Sequence, residues 1–337
     1  MSTDPADVAA APGRPRLPEL SPLVTAALTQ YGISSGRIES LRYYDNATFR
    51  VSAEGRGPYV LRVTSNHYSR LELESEMQWL RAMQGVPGVR VPLPVTALDG
   101  SLVVSAAAPG LGAPRWCNLF AWLEGVHPPE ERISGPELAE VGAAIARLHD
   151  RSHTFATPSD FVRPHWDGRR WDQLDVGDTY RRIIAYLEHH FEAVAIHRFK
   201  ALVHGCRTWM GELGSAAPEY GLVHGDFHAG NCLLGGAGVA FIDFEDLGWG
   251  HYLYDVATIL FGMLDRPEYA GLVSGFARGY ASVRPLPQSF PERLAQFQAL
   301  RSVFLTSLVV TRGDLAESAW WKGYVVSKLE RLTSGAA

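Results

Sequence analysis

The sequence predicts an α+β protein of two lobes, a small antiparallel β lobe carrying one helix and then a larger, mainly α lobe. Three observations predict it. A chain of 337 residues is too long for one small core. Its first part runs in short β-branched and aromatic stretches, and its later part in apolar residues at helical spacing. The change of texture falls at one short segment. The expected parts are therefore a disordered tail over 1–20, a lobe over 21–118, a hinge over 119–125 and a lobe over 126–337.

The tail, "MSTDPADVAAAPGRPRLPEL", is rich in Pro, Ala and Gly and lacks the basic start and apolar core of a signal peptide. Next, "RIESLRYY", "ATFRVSA" and "YVLRV" read as three antiparallel strands, the last two joined by the turn "EGRGP". Leu73, Met77, Leu80 and Met83 then recur at helical spacing, so "RLELESEMQWLRAM" is an amphipathic helix packed on that sheet. Pro87, Pro92 and Pro94 end it. "VTALDGSLVVS" reads as a further strand pair turning at Asp99-Gly100. Beyond the joining segment, Ser134 and Glu137 have the spacing of a capping box, followed by the stripe Leu138, Val141, Ile145 and Leu148. "DTYRRIIAYLEHHF" and "AIHRFKALVHGCRTWMGELG" are two more helices, the second stopping at Gly214. After Tyr252 the chain is again mainly helical.

Composition narrows the function. The apolar fraction of 46% and charged fraction of 20% belong to an ordinary globular protein. A net charge of −5 with no basic run argues against nucleic acid as a partner. No stretch reaches about 18 uninterrupted apolar residues, so no membrane partner is expected. Cys117, Cys206 and Cys232 are scattered and odd in number, which fits buried free thiols in a reducing, cytoplasmic setting. A monomer and a homodimer are both compatible with this composition.

The chemistry concentrates in "LVHGDFHAGNCLLGGAGVAFIDFED", residues 222–246. "NCLL" and "VAFI" are apolar runs joined by "GGAG", a four-residue hairpin connection. If Leu234 pairs with Val239, Asn231 falls opposite Ile242, with Asp243 one residue beyond. Asn231 and Asp243 then emerge at one end of the ribbon, and Asp226 lies on the loop that feeds it. A carboxylate and an amide oxygen suit a hard cation such as Mg2+, whose other positions go to waters and phosphate oxygens. A second carboxylate could orient a hydroxyl and take its proton. Together these are the parts needed to move a phosphoryl group.

The spacing His224-Gly225-Asp226, then Asn231, then Asp243-Phe244-Glu245 also resembles the aminoglycoside phosphotransferase and choline kinase-like family, whose members have a protein kinase-like fold. That resemblance, over about Arg37 to Leu260, implies an ATP- and Mg2+-dependent phosphotransferase acting on a hydroxyl of a small molecule. It implies Asp226 as the catalytic residue and Asn231 and Asp243 as metal ligands. A basic residue on the third strand should hold the nucleotide phosphates and pair with a Glu on the next helix. Arg62, out of phase with Leu61 and Val63, and Glu76, on the inward stripe of the helix, fill those places. Arg stands where Lys is usual, which changes the phosphate geometry. The loop "YYDNATFRV" has no glycine-rich run, so phosphate contacts there would come from backbone amides of Asn46, Ala47 and Thr48. "LFAWLEG" corresponds to the hinge where adenine lies, with the Ala121 carbonyl and Leu123 amide as its partners and Phe120 behind the ring.

Other assignments stay open. His224 supports the catalytic loop and His228 stands behind the site in the family reading, whereas a metal-dependent hydrolase would use both as ligands. Glu245 and Asp246 are either solvated charges or an acidic substrate side that favours an amine-bearing acceptor. Asp255 is a helix cap or structural ion-pair residue. Trp320 and Trp321 are core, or line a pocket where a cation sits on a ring face. A Ser/Thr protein kinase and a nucleotide-binding pseudokinase are the further alternatives. Among small acceptors, an aminoglycoside, an amino-sugar, a choline-like amine, homoserine and fructosamine all fit.

Overall fold

A computed structural model describes residues 17–43, 46–65, 67–166, 178–213, 218–236, 238–287, 290–311, 323–324, 327–328 and 330–332. These fall into two compact units, the first within Met1–Gly85, Arg90–Glu124 and Ala156–Val162, the second within Val86–Val89, Gly125–Phe155 and Arg163–Ala337. The architecture is α+β, with an antiparallel sheet in the first unit and helices dominating the second. Trp320, Trp321 and Gly214 lie outside the described residues.

The first unit holds α1 (Ser21–Gln30), β1 (Gly36–Tyr43), β2 (Ala47–Ala53), β3 (Pro58–Val63) and α2 (Arg70–Ala82). Strand β4 (Val89–Arg90) marks where the chain crosses between units, and β5 (Val104–Ala106) and β6 (Arg115–Ala121) follow. The sheet order is β1-β2-β3-β6-β5. Leu23, Val24 and Ala27 of α1 form one buried core with Val51, Leu61, Val63, Cys117 and Leu119 of the strands. Side chains alternate along a strand, so Arg62, between Leu61 and Val63, projects to the opposite face, where α2 lies. Helix α2 starts with a full capping box, Ser69 and Glu72 satisfying each other's backbone amides. Its stripe Leu73, Met77 and Leu80 is buried. Residues 156–162 return to this unit, the Val162 amide donating to Ser75 Oγ at 2.9 Å.

Two expectations are corrected here. Leu17–Leu20, assigned to the tail, form a turn of 3-10 helix with Leu20 buried in the core. The run Val95–Ser105 is not a strand pair closed on itself. Its turn is present, with the Ala97 amide donating to Ser101 O at 2.8 Å, but both arms lie along β6. Val95 N donates to Leu119 O at 2.8 Å and Ala121 N to Leu93 O at 2.9 Å, while Val104 pairs with Cys117. Pro92 and Pro94 lack amide donors, which keeps the first arm from forming a regular ladder.

The second unit begins with α3 (Gly135–His153), capped by the Ser134–Glu137 box. It continues through β7 (His165–Trp166), α4 (Asp178–His190), α5 (Ala193–Leu213) and β8 (Tyr220–Val223). The hairpin β9 (Cys232–Leu233) and β10 (Val239–Phe241) and the strand β11 (Gly248–His251) come next. The chain closes with α6 (Tyr252–Phe261), α7 (Tyr269–Ala281) and α8 (Phe290–Thr311). Strand β11 runs antiparallel to β8 and parallel to β7. Helix α6 is buried on all sides. Among the described residues no helix is long and apolar enough to cross a membrane. The three cysteines are free and buried, and burial pushes each thiol up to about 12.

Helices α3 and α7 approach until backbone meets backbone. A Cβ on Gly279 would lie 1.8 Å from the Ala139 carbonyl oxygen, and one on Gly142 would lie 2.5 Å from that of Phe276. Gly279→Ala is therefore expected to destabilise the protein by about 1–3 kcal/mol in urea unfolding. The gain of about 1 kcal/mol in helix propensity does not offset the overlap. Unchanged stability would mean that the helices separate freely.

Candidate functional site

The loop between β8 and β9 is built around one buried carboxylate. Asp255, in the first turn of α6 and fully buried, accepts the amides of His224 and Gly225, each at 2.9 Å, through its two oxygens. Its Oδ2 also receives His149 Nε2 at 3.0 Å. His149 Nδ1 faces the Tyr280 hydroxyl at 2.9 Å, and its ring stacks on Tyr252 with centroids 4.4 Å apart. Burial outweighs the pull of Asp255 and lowers the His149 pKa, so the ring is neutral. Gly225 has φ +85°, and a Cβ there would lie 2.5 Å from Asp246 O, so only glycine fits.

His224 ties the loop to the hairpin. Its Nδ1 accepts the Asp226 amide at 3.2 Å and its Nε2 donates to Ile242 O at 3.0 Å. Burial lowers its pKa as well. The ring rests against Phe227 and Phe244, at 4.2 and 4.5 Å between centroids. The hairpin register has Leu233 opposite Ala240 and Cys232 opposite Phe241, and the Ile242 amide donates to Asn231 O at 3.0 Å. Asn231 and Asp243 therefore leave the same end of the ribbon.

Asn231 Nδ2 donates to Asp226 O at 3.0 Å. Its Oδ1 is buried and makes no hydrogen bond among the described residues. An orphaned amide oxygen beside a carboxylate-bearing strand end is the donor set a hard cation takes. Asp243 is the one described residue other than glycine with positive φ, at 67°. Strain of this kind is retained where surrounding structure enforces it. Among the described residues no group of three or more His, Cys, Asp and Glu is placed to share a metal ion.

The Asp226 side chain is 26% exposed. Its Oδ1 accepts from Arg301 Nη2, and its Oδ2 lies 3.5 Å from His228 Nε2. His228 Nδ1 accepts the Gly230 amide at 3.0 Å, so the proton sits on Nε2, toward Asp226. Burial alone would raise the Asp226 carboxyl, but Arg301 and then His228 outweigh it and hold it well below the usual carboxylate range. Three successive carbonyls after Phe244 are also fixed. Arg163 donates to Glu245 O and Leu247 O, and Trp166 Nε1 to Asp246 O at 2.7 Å.

Within the first unit, Arg62 and Glu76 form a two-pronged ion pair at 2.9 and 2.7 Å. The two side chains are 6% and 1% exposed. Phe120 lies under the guanidinium, 5.2 Å from the ring centre. Asn46 Oδ1 accepts the Ser65 amide at 2.8 Å, while Ala47 and Thr48 already belong to β2, opposite Val63 and Arg62. Ala121 ends β6 opposite Tyr59, and Leu123 follows it.

Arg301, Arg163, Trp166 and His149 escape the sequence reading. His149 had a signal, since it falls four residues after Ile145 on a buried stripe. Arg301 had a fainter one, as the only charged residue from Leu294 to Thr311.

Comparison with known proteins follows from this geometry. A model described as the phosphotransferase enzyme family (APH) matches residues 39–290. Amicoumacin kinase of Bacillus subtilis (strain 168) is 23% identical over 305 residues, covering 87% of this chain and 85% of that protein. The microcompartment-associated aminopropanol kinase superposes with a TM-score of 0.75 at 27% identity, over 92% of this chain and 94% of that one. Amicoumacin kinase hAmiN, solved with AMP-PNP, Ca2+ and Ami, gives 0.75 at 20% identity over 93% and 92%.

Two outcomes test the loop. Asp255→Ala strands two amides and is expected to cost about 3 kcal/mol or more in urea unfolding. His149 and His224 have lowered pKa values in the folded state, so the unfolded chain binds protons that the native one refuses. Stability should then fall as pH drops below about 6.5, by up to about 1.4 kcal/mol per pH unit for each histidine. His149→Gln should remove one histidine's share of the slope measured between pH 7.5 and 5.5.

Proposed function

The chain belongs to the phosphotransferase enzyme family, and on that premise we propose how its residues move the γ-phosphate of ATP to a hydroxyl of a small acceptor. The observation that carries the reading is the buried, unpartnered Asn231 Oδ1 at the hairpin end that also presents Asp243, with Asp226 bonded to the same Asn. Asn231 and Asp243 would hold Mg2+. When bound, that ion neutralises the phosphate oxygens and keeps them aligned for in-line displacement.

Asp226 is ionised at any working pH and orients the acceptor hydroxyl. As the acceptor oxygen bonds to the γ-phosphorus and the bond to the bridging oxygen of ADP breaks, the hydroxyl proton passes to Asp226. Arg62 grips the nucleotide phosphates, and Glu76 fixes its fork. His224 holds the loop, and His228 shares Oδ2 of Asp226. Backbone amides around Asn46, Ala47 and Thr48 contact the phosphates, and Phe120, Ala121 and Leu123 receive adenine. Glu245 and Asp246 lend the acceptor side negative charge, which favours an amine-bearing hydroxyl compound. Residues 21–118, 119–125 and 126–337 serve as nucleotide lobe, hinge and catalytic lobe. The setting is cytoplasmic, with the protein acting as monomer or homodimer.

Thermal unfolding with ATP, with and without Mg2+, tests the metal assignment. A ligand at about 100 times its Kd stabilises by about 2.7 kcal/mol, a shift of several degrees. The Mg2+-dependent part should vanish in Asp243→Asn, and its persistence would remove Asp243 from the metal. Transfer to 1-amino-2-propanol, followed as ADP release, should fall about 10²–10⁴-fold in Asp226→Asn.

A further inference from the structure

Arg301 lies on α8, where it is the only charged side chain between Leu294 and Thr311, and its side chain is 7% exposed. Nη2 donates to Asp226 Oδ1, the Tyr254 hydroxyl lies beside the guanidinium, and the Phe304 ring centre is 5.4 Å away. A guanidinium buried on an apolar helix needs an anion to compensate its lost hydration. Here that anion is a carboxylate 75 residues earlier in the chain, at the point where the proposed chemistry occurs.

The structure assigns to Arg301 the positioning of the Asp226 carboxylate for phosphoryl transfer. By holding Oδ1 it leaves Oδ2, beside His228, as the oxygen that meets the acceptor hydroxyl. A rotation of the carboxylate would exchange the two oxygens and lose the approach line. The guanidinium resists that rotation because its buried helix and the Phe304 ring beside it hold its one contacting nitrogen in place on Oδ1, whereas an ammonium on a flexible stem would pivot. Arg301 acts through Asp226 and touches neither nucleotide nor acceptor. The inference rests on the reading of Asp226 as the residue that aligns the hydroxyl.

The test is ADP release from Mg-ATP, with water alone and with 1-amino-2-propanol, for wild type, Arg301→Gln, Arg301→Lys, Asp226→Asn and the double variant Asp226→Asn/Arg301→Gln. Arg301→Gln is expected to lower kcat about 100-fold, the scale of a misplaced catalytic group. Its KM for ATP should stay within about twofold, and the thermal shift given by Mg-ATP should be retained. Arg301→Lys, which keeps the charge without the rigid planar group, should fall between. In the Asp226→Asn background the Gln substitution should do nothing further, since effects carried through one group do not add.

An Arg301→Gln rate equal to wild type, alongside a loss in Asp226→Asn, overturns this inference and leaves the functional reading standing. An equal fractional loss from Arg301→Gln in both backgrounds also overturns it, as does Arg301→Lys at the wild-type rate. Wild-type ADP release that Asp226→Asn does not change overturns the functional reading itself. Should Arg301→Gln fold poorly, the double variant, which removes both buried charges, and Arg301→Lys still decide between these outcomes.

Discussion

The grip of Asp255 on two consecutive backbone amides is the constraint from which the rest of the site follows. A loop that turns sharply must still satisfy its own amides. Helix α6 supplies the acceptor from below, in a fully buried position where charge-assisted hydrogen bonds are strong. The cost of burying that charge is met by the two amides and by His149, which in turn is held by Tyr280 of α7. The loop backbone is thus anchored to three helices before any functional side chain is placed. His224 then spans from the anchored loop to Ile242, so the position of Asp226 is transmitted to the hairpin that presents Asn231 and Asp243.

Two buried arginines organise two different carboxylates, and their environments explain why neither is a lysine site by default. Arg62 meets Glu76 through a parallel pair of hydrogen bonds with a ring beneath, so its orientation is fixed to within the rigidity of α2 and β3. Arg301 meets Asp226 through one nitrogen only. In the first pair both partners are buried; in the second the carboxylate is the more exposed partner.

Much of this was legible in the sequence wherever one local period dominates. The hairpin has an apolar repeat of two and a four-residue connection, and only one register keeps both apolar runs facing inward, which puts Asn231 beside Asp243. Glu76 could be paired with Arg62 because a charge on an otherwise apolar helical stripe requires a partner, and the adjacent strand offers one. The capping boxes at Ser69 and Ser134 are wholly local and can be read as such. Contacts that span 31, 75 and 82 residues leave no comparable trace. Asp255 looks like a helix cap, Arg163 like a loop cation, and Arg301 like an anomaly in an apolar helix. The Val95–Ser105 run misled for a related reason: its turn is local, but the partner of both arms is β6.

The three cysteines, free, buried and pushed up to about 12, have a practical side. Thiol reagents attack the thiolate, and these thiols are both buried and held in their neutral form. Cys232 is shielded in this way although it is the immediate neighbour of Asn231. The folded protein is in effect a cysteine-silent background. A single cysteine introduced on an exposed turn would accept a fluorophore or spin label without removing any native residue. Spectroscopy could then follow the β8–β9 loop during nucleotide binding in an otherwise unaltered chain.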